Sequence, residues 1–425
     1  DSNTVYAAIN TMRLDDMGPH LFRTTDGGKH WDSINNGIAN DATTNVVRED
    51  PKTRGLLFAG TETQTYVSFD NGDHWQSLRL NMPAISVRDL QIKDDDLVAA
   101  THGRGFWVLD DITPLRQIDE QVAHAPATLY KPELATRVRW DMNPPTPWRM
   151  PALSNPPPGA IIDYYFADNV NGPVTLDILG ANGKLVRHFS SADPVKPLDP
   201  AKLDVPDWWP RPPMNLSTQA GMHRFVWDMH YPPMPGALQF LDAGQAVMHN
   251  TPVIASSPWI MPGNYTVKLT VDGESYSQPL TVRMDPRVTT SPAALQQQFN
   301  LSMRAYNESI AASDALRQIH DLQQQIKTHE KQHGTSKALT AYGKQLETLT
   351  GPPMSPFAFY FGFHGAPNLV STGFSLQMLL SRMQDADRAP TTADVTALDE
   401  TSQEMQTLLT RWATLKDQTP TAINN

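Results

Sequence analysis

The sequence predicts a mainly β chain with a C-terminal α region: a partial β-propeller of two to three blades, an immunoglobulin-like β-sandwich and a helical bundle. Three observations predict it. A turn motif, Thr24-Thr-Asp-Gly-Gly-Lys-His-Trp31, recurs as Ser68-Phe-Asp-Asn-Gly-Asp-His-Trp75, 44 residues later. A period of roughly 40–50 residues with several strands per unit is the mark of propeller blades. Residues 159–288 carry six or so short alternating runs, from Ile161–Phe166 to Gln278–Arg283, with sharp turns at Ala181-Asn-Gly-Lys184 and Asp272-Gly-Glu274. From Ser291 onward, apolar residues recur at helical spacing.

Residues 1–118 form the partial propeller in this reading. The repeated motif is an Asp-box, S/T-x-D-x-G-x-x-W. Its aspartate (Asp26, Asp70) accepts backbone N–H bonds across a turn, its glycine (Gly28, Gly72) permits the tight backbone, and its tryptophan (Trp31, Trp75) packs between blades. These six residues are structural. Residues 119–158 are proline-rich and irregular, and read as a linker that packs on its neighbours through Trp140 and Trp148. Residues 159–288 are the sandwich, with Trp227 in its core. Residues 289–425 are the bundle. Ser291 caps its first helix, with Pro292 at the first helical position, and Leu295, Phe299, Met303, Tyr306 and Ile310 share one face. Leu339, Tyr342, Leu346 and Leu349 mark a second helix, Leu376–Met383 a third, and Val395, Leu398, Met405, Leu409 and Trp412 a fourth.

The phase of the repeat points to a site. Tyr6–Asn10, Leu57–Glu62 and Val98–His102 occupy equivalent runs, read as second strands. Asn10, Glu62 and His102 then sit where the second strand turns into the third, on one side of the propeller, and Arg13 and Arg104 follow closely. Asn10, Arg13, Glu62, His102 and Arg104 read as one polar rim, set against the plainer reading that they satisfy turns. Gly103 and Gly105 flank Arg104, which can then approach a carboxylate or sugar hydroxyl, or simply pair with Asp110 or Asp111. Arg48-Glu49-Asp50 and Asp94-Asp-Asp96 read as solvated turns.

Composition narrows the function. The chain has 425 residues, a formal net charge of −11 and no cysteine. Disulfides, thiolate metal sites and cysteine nucleophiles are excluded. An acidic surface disfavours nucleic acid. No run approaches the ~18 apolar residues of a membrane span. No phosphate loop, G-x-S-x-G elbow or H-E-x-x-H is present, so neither cofactor nor metal is expected.

Arg13-Leu-Asp-Asp16, the two Asp-boxes, Val46-Val-Arg-Glu-Asp-Pro51, Gly55–Glu62, Tyr66–Asp70 and above all Ala100-Thr-His-Gly-Arg-Gly-Phe-Trp-Val-Leu-Asp-Asp111 carry a resemblance. So do Asn155-Pro-Pro-Pro-Gly-Ala160 and Gly263-Asn-Tyr-Thr-Val267. Together they resemble a large family of secreted bacterial proteins, the sortilin-like or glycosyl-hydrolase-like β-propellers with neuraminidase (BNR, Asp-box) repeats. Val174–Arg187 and Trp227 through Tyr265 look like the immunoglobulin-like domain of flagellar hook-capping proteins. The resemblance implies a secreted or periplasmic bacterial protein. Family members are longer, with more blades upstream, so the chain is expected to be a C-terminal part. The missing blades would lie on the same parent protein or on another chain. The implied function is glycan or peptide binding on a propeller face. The alternative is a share in a glycoside hydrolase, with Glu62 as a catalytic carboxylate and its partner in the missing blades.

Overall fold

The computed structural model describes residues 2–139, 156–195, 199–203, 206–235, 251, 253, 255–352 and 366–420. It is mainly β, with helices at the C-terminal end. Residues 5–109 fold as three successive antiparallel meanders. The first holds β1 (Val5–Ala8), β2 (Leu21–Thr24) and β3 (Asp32–Ser33). The second holds β4 (Thr44–Glu49), β5 (Leu57–Thr61), β6 (Thr65–Ser68) and β7 (Gln76–Ser77). The third holds β8 (Val87–Lys93), β9 (Asp96–Thr101) and β10 (Phe106–Leu109).

The middle sheet is buried on both faces, which is why β5 and β6 lack the polar alternation of a one-sided strand. Leu57, Ala59 and Tyr66 pack with Leu21, Ile34 and Tyr6 of the first unit. Phe58, Val67 and Val46 pack with Val87, Leu90 and Ala99 of the third. Sheets stacked face to face in chain order fit part of a propeller.

Each copy of the repeated turn is a small hydrogen-bonded knot. Thr24 Oγ1 donates to Asp26 Oδ1 (2.9 Å) and accepts from Gly28 N (3.0 Å), while Asp26 Oδ1 also accepts from Lys29 N and His30 N. Ser68, Asp70, Gly72 and His74 repeat the pattern. Trp75 is buried, and its indole N–H donates to the Ile34 carbonyl at 2.7 Å. Trp31 departs from the expected packing. It is 44% exposed, because among the described residues no sheet lies on that flank of the first meander to cover it.

Two further sheets follow. One is β11 (Ala127–Leu129), β13 (Ala160–Phe166) and β16 (Gly221–Trp227). The other is ordered β12 (Ala135–Arg137), β18 (Glu274–Met284), β17 (Gly263–Val271), β14 (Thr175–Gly180) and β15 (Leu185–Ser190). Side chains from both, among them Leu129, Ile162, Phe166, Leu176, Val267, Leu280 and the fully buried Trp227, share one core. Residues 119–158, read as a linker, include two short strands. β11 pairs antiparallel with β13, and β12 pairs parallel with β18. Between the meanders and these strands, Asp119 caps a one-turn helix, α1 (Glu120–Ala123). Trp140 and Trp148 lie outside the described residues.

Four helices are described at the C-terminal end: α2 (Pro292–His333), α3 (Lys337–Thr350), α4 (Leu369–Gln384) and α5 (Thr392–Asp417). Ser291 and Ser336 cap the first two, and Asn368 and Thr391 form capping boxes at the others. Their apolar faces, including Ile319, Leu346, Leu376, Leu398 and Met405, form a second core. No described helix is long and apolar enough to cross a membrane.

Candidate functional site

Two irregularities build the site. In the second sheet Thr44 pairs with Thr61 but Val46 pairs with Gly60, so Asn45 is an extra residue. In the third, Val87 pairs with Thr101 but Asp89 pairs with Ala100, so Arg88 is extra. A bulge breaks the side-chain alternation and re-aims the bulged residue. Here both bulges aim a polar side chain at Glu62, the first residue after β5. Asn45 Nδ2 donates to Glu62 Oε1 (3.1 Å) and to the Val87 carbonyl (3.1 Å). The Arg88 guanidinium pairs with the same Glu62 oxygen at 2.9 Å. Asn10 Nδ2 donates to Asn45 Oδ1 at 2.7 Å. Asn10, Asn45, Glu62 and Arg88 are thus one polar string across three sheets. Gly60 makes the close approach possible: a Cβ there would stand 2.7 Å from Val46 and 2.8 Å from Val87.

The remaining sequence-predicted residues stand near strand ends but outside the string. Glu62 N donates to the Thr43 carbonyl and His102 N to the Ser86 carbonyl, both at 2.9 Å, so these two residues hold equivalent places. Arg13 is exposed on a 3-10 turn, Met12–Leu14. His102 and Arg104 are exposed in the turn after β9, where Gly103 and Gly105 take positive φ. No side-chain hydrogen bond or ion pair ties Arg13, His102 or Arg104 to another described residue, and Arg104 pairs with neither Asp110 nor Asp111. Sequence reading missed Asn45 and Arg88. The only trace of the first is a polar residue interrupting the run Thr44-Asn-Val-Val47.

A second polar region lies between the third sheet and the two sheets that follow it. A cavity of about 500 Å³ is lined by Lys52, Asp95, Asp96, Asp110, Glu133 and Arg283, among others. Burial pushes the Glu133 carboxyl up to about 7, and the charges of Asp111, Asp96 and Asp95 add to it. Beside the cavity, Arg116 joins the fully buried Asp50 carboxylate and Asp95. Asp50 and Asp95 are therefore not solvated turns, as their acidic neighbours suggested. The repeated turns follow β2 and β6, at the strand ends away from Glu62. There the N–H of His30, its ring and other donors hold the Asp26 carboxyl down to about 2. Among the described residues no group of three or more acidic or imidazole side chains is placed to hold a metal.

No family model matches the chain, and no curated protein matches it. Solved structures similar to parts of it include YCF48 bound to a D1 peptide, at 15% identity and TM-score 0.18, over 35% of this chain and 41% of that one. An ancestral GH74 enzyme matches at 11% identity and TM-score 0.21, over 66% and 29%. The extracellular domain of a hybrid two-component system from B. thetaiotaomicron matches at 9% identity and TM-score 0.18, over 64% and 28%. The chain spans less than half the length of each of these structures.

Proposed function

We propose that the chain is part of an extracytoplasmic Asp-box β-propeller protein that binds a glycan or peptide at the rim around Glu62. The Asn10–Asn45–Glu62–Arg88 string carries this reading. Two bulges spend regular ladder pairing to gather donors and an acceptor from three successive sheets at one edge, and a purely structural turn needs no such convergence. Arg13, His102 and Arg104, unspent at the same strand ends, supply further contacts. The sandwich, read as immunoglobulin-like, and the helices brace this face.

Exposure on the two outer sheets supports missing neighbours. Strand pairing makes Val5 the counterpart of Leu57, and Val108 the counterpart of Val67. Leu57 and Val67 are 0% and 3% exposed, whereas Val5 and Val108 are 46% and 52% exposed. Further blades, on the same parent protein or another chain, would cover them. The geometry favours binding over glycoside hydrolysis. Arg88 and Asn45 both pair with Glu62 Oε1, an arrangement that suits orienting a ligand.

The test is a glycan and peptide array on the full chain, followed by calorimetry on any ligand found. Glu62→Gln and Arg88→Ala are each expected to weaken binding at least ~10-fold, about 1.4 kcal/mol. A ligand whose affinity ignores both substitutions, or an array without hits, removes the proposal.

A further inference from the structure

Among the described residues, the third sheet lacks the outermost strand that the first two carry. β6 carries β7 on its outer edge, through Tyr66↔Ser77 and Val67↔Gln76, and β2 carries β3 in the same way. β10 holds the place of β6, since Ala99 pairs with Trp107 as Ala59 pairs with Tyr66. Among the described residues, nothing pairs with its outer edge. Phe106-Trp-Val-Leu109 has no charge and no proline, and Phe106 and Val108 are 73% and 52% exposed.

The reason is local. In the first two sheets a hydroxyl at the end of the third strand, Thr24 or Ser68, ties the Asp-box turn that sends the chain back as a fourth strand. Leu109 stands at that position and has no hydroxyl. Asp111, which aligns with Asp26 and Asp70, accepts from Thr113 N instead, and Arg224 of the sandwich grips the carbonyls of Asp110 and Asp111. The chain leaves for the next sheets, and among the described residues the edge stays open. The seat for a leading tryptophan is open too. Trp75 N donates to the Asn36 carbonyl, and the 44-residue offset maps Asn36 onto Leu80, which is 66% exposed with φ +48°.

We propose that the outer edge of β10 accepts a short extended strand from a second polypeptide. The strand is led by a bulky aromatic residue that settles beside Leu80, and its backbone pairs with Trp107 and Val108. The inference rests on the partial-propeller reading but not on the ligand rim. The recognition is β-strand addition, in which main-chain bonds give affinity and the side-chain seat gives specificity.

The probe is a synthetic peptide of residues 68–78 of this chain, which holds an Asp-box turn, a tryptophan and a fourth strand. It is added in excess to the full chain, and amide hydrogen exchange is followed. Exchange at residues 106–109 is expected to slow at least ~10-fold. The effect should vanish when the peptide carries Trp75→Ala, or when the chain carries Val108→Lys or, as a second variant, Phe106→Lys. Unchanged exchange at 106–109, with β4–β6 and β8–β9 still protected, overturns the inference and leaves the propeller reading intact. Unprotected β4–β9 amides overturn both. A dimer already protected at 106–109 without peptide, and split by Val108→Lys, overturns it in favour of self-pairing.

Discussion

Single residues show what the repeat does and does not equalise. Trp75 and Trp31 hold the same place in the two copies of the repeated turn, yet one is buried and bonded to the Ile34 carbonyl and the other is 44% exposed. Trp75→Ala removes a buried aromatic and its hydrogen bond, so a loss of about 3–5 kcal/mol is expected in urea unfolding. Trp31→Ala should stay within about 0.5–1 kcal/mol. Equal losses would mean that the two sites are packed alike. Glu133 adds a pH dependence of definite sign. Burial raises its carboxyl from 4.5 to about 7, so the folded chain keeps a proton that the unfolded chain has released. Its contribution is complete below about pH 4.5 and is lost as pH rises through about 7. Glu133→Gln removes that loss. The variant is expected to gain on the order of 2 kcal/mol over the parent at pH 8 and little at pH 4.5, read from urea midpoints. Asp26, held down to about 2, titrates far below this window.

At the scale of elements, the turns between sheets are as constrained as the strands. Gly37 takes φ +96°, and a Cβ there would lie 2.2 Å from the Trp75 carbonyl oxygen. Gly37→Ala is expected to cost more than about 2 kcal/mol, through both the left-handed backbone and the displaced tryptophan, and to lower the melting temperature accordingly. Gly183→Ala, also at positive φ but with open space around it, bears the backbone cost alone and serves as the comparison. Such turns explain how much of the fold could be read from sequence. The mainly β character and the C-terminal helices were legible, because Gly-rich turns and helical spacing such as Leu339, Tyr342, Leu346 and Leu349 write themselves into residue type. β11 and β12, three residues each, are too short to carry a period, and their pairing depends on β13 and β18, distant in sequence. The bulges at Asn45 and Arg88 were hidden for a related reason. One inserted residue changes the register of a pair of strands, and a single strand's sequence holds no register. The likeness of the runs Leu57–Glu62 and Val98–His102 therefore aligns Glu62 with His102, 40 residues on, but says nothing of what Glu62 touches.

The two sheets that follow the meanders meet the helices at a buried charge cluster. Arg137 at the end of β12 donates to the Ile260 carbonyl and pairs with Asp387, which lies between α4 and α5. Arg139 pairs with the same carboxylate at 3.0 Å, and both guanidinium groups lie over the Trp259 ring. The Arg137 and Asp387 side chains are each 4% exposed, so neither charge has water to fall back on. Nearby, Gln384 accepts from Trp259 N and donates to Ser302, and Gln298 donates to the Ala386 carbonyl. A buried pair adds little to stability compared with apolar residues of the same shape, but half of one is costly. Asp387→Ala strands two guanidinium groups in the junction, and a loss of about 3–5 kcal/mol is expected. The double variant Arg137→Met/Asp387→Leu should recover a large part of it, since Arg139 alone can still turn toward solvent. Urea unfolding of the three chains measures both numbers. A loss below about 1 kcal/mol for Asp387→Ala would show that water reaches the pair. The sandwich and helices would then be joined by apolar contacts such as Tyr231 against Phe299 and Tyr306, and not by this charge cluster.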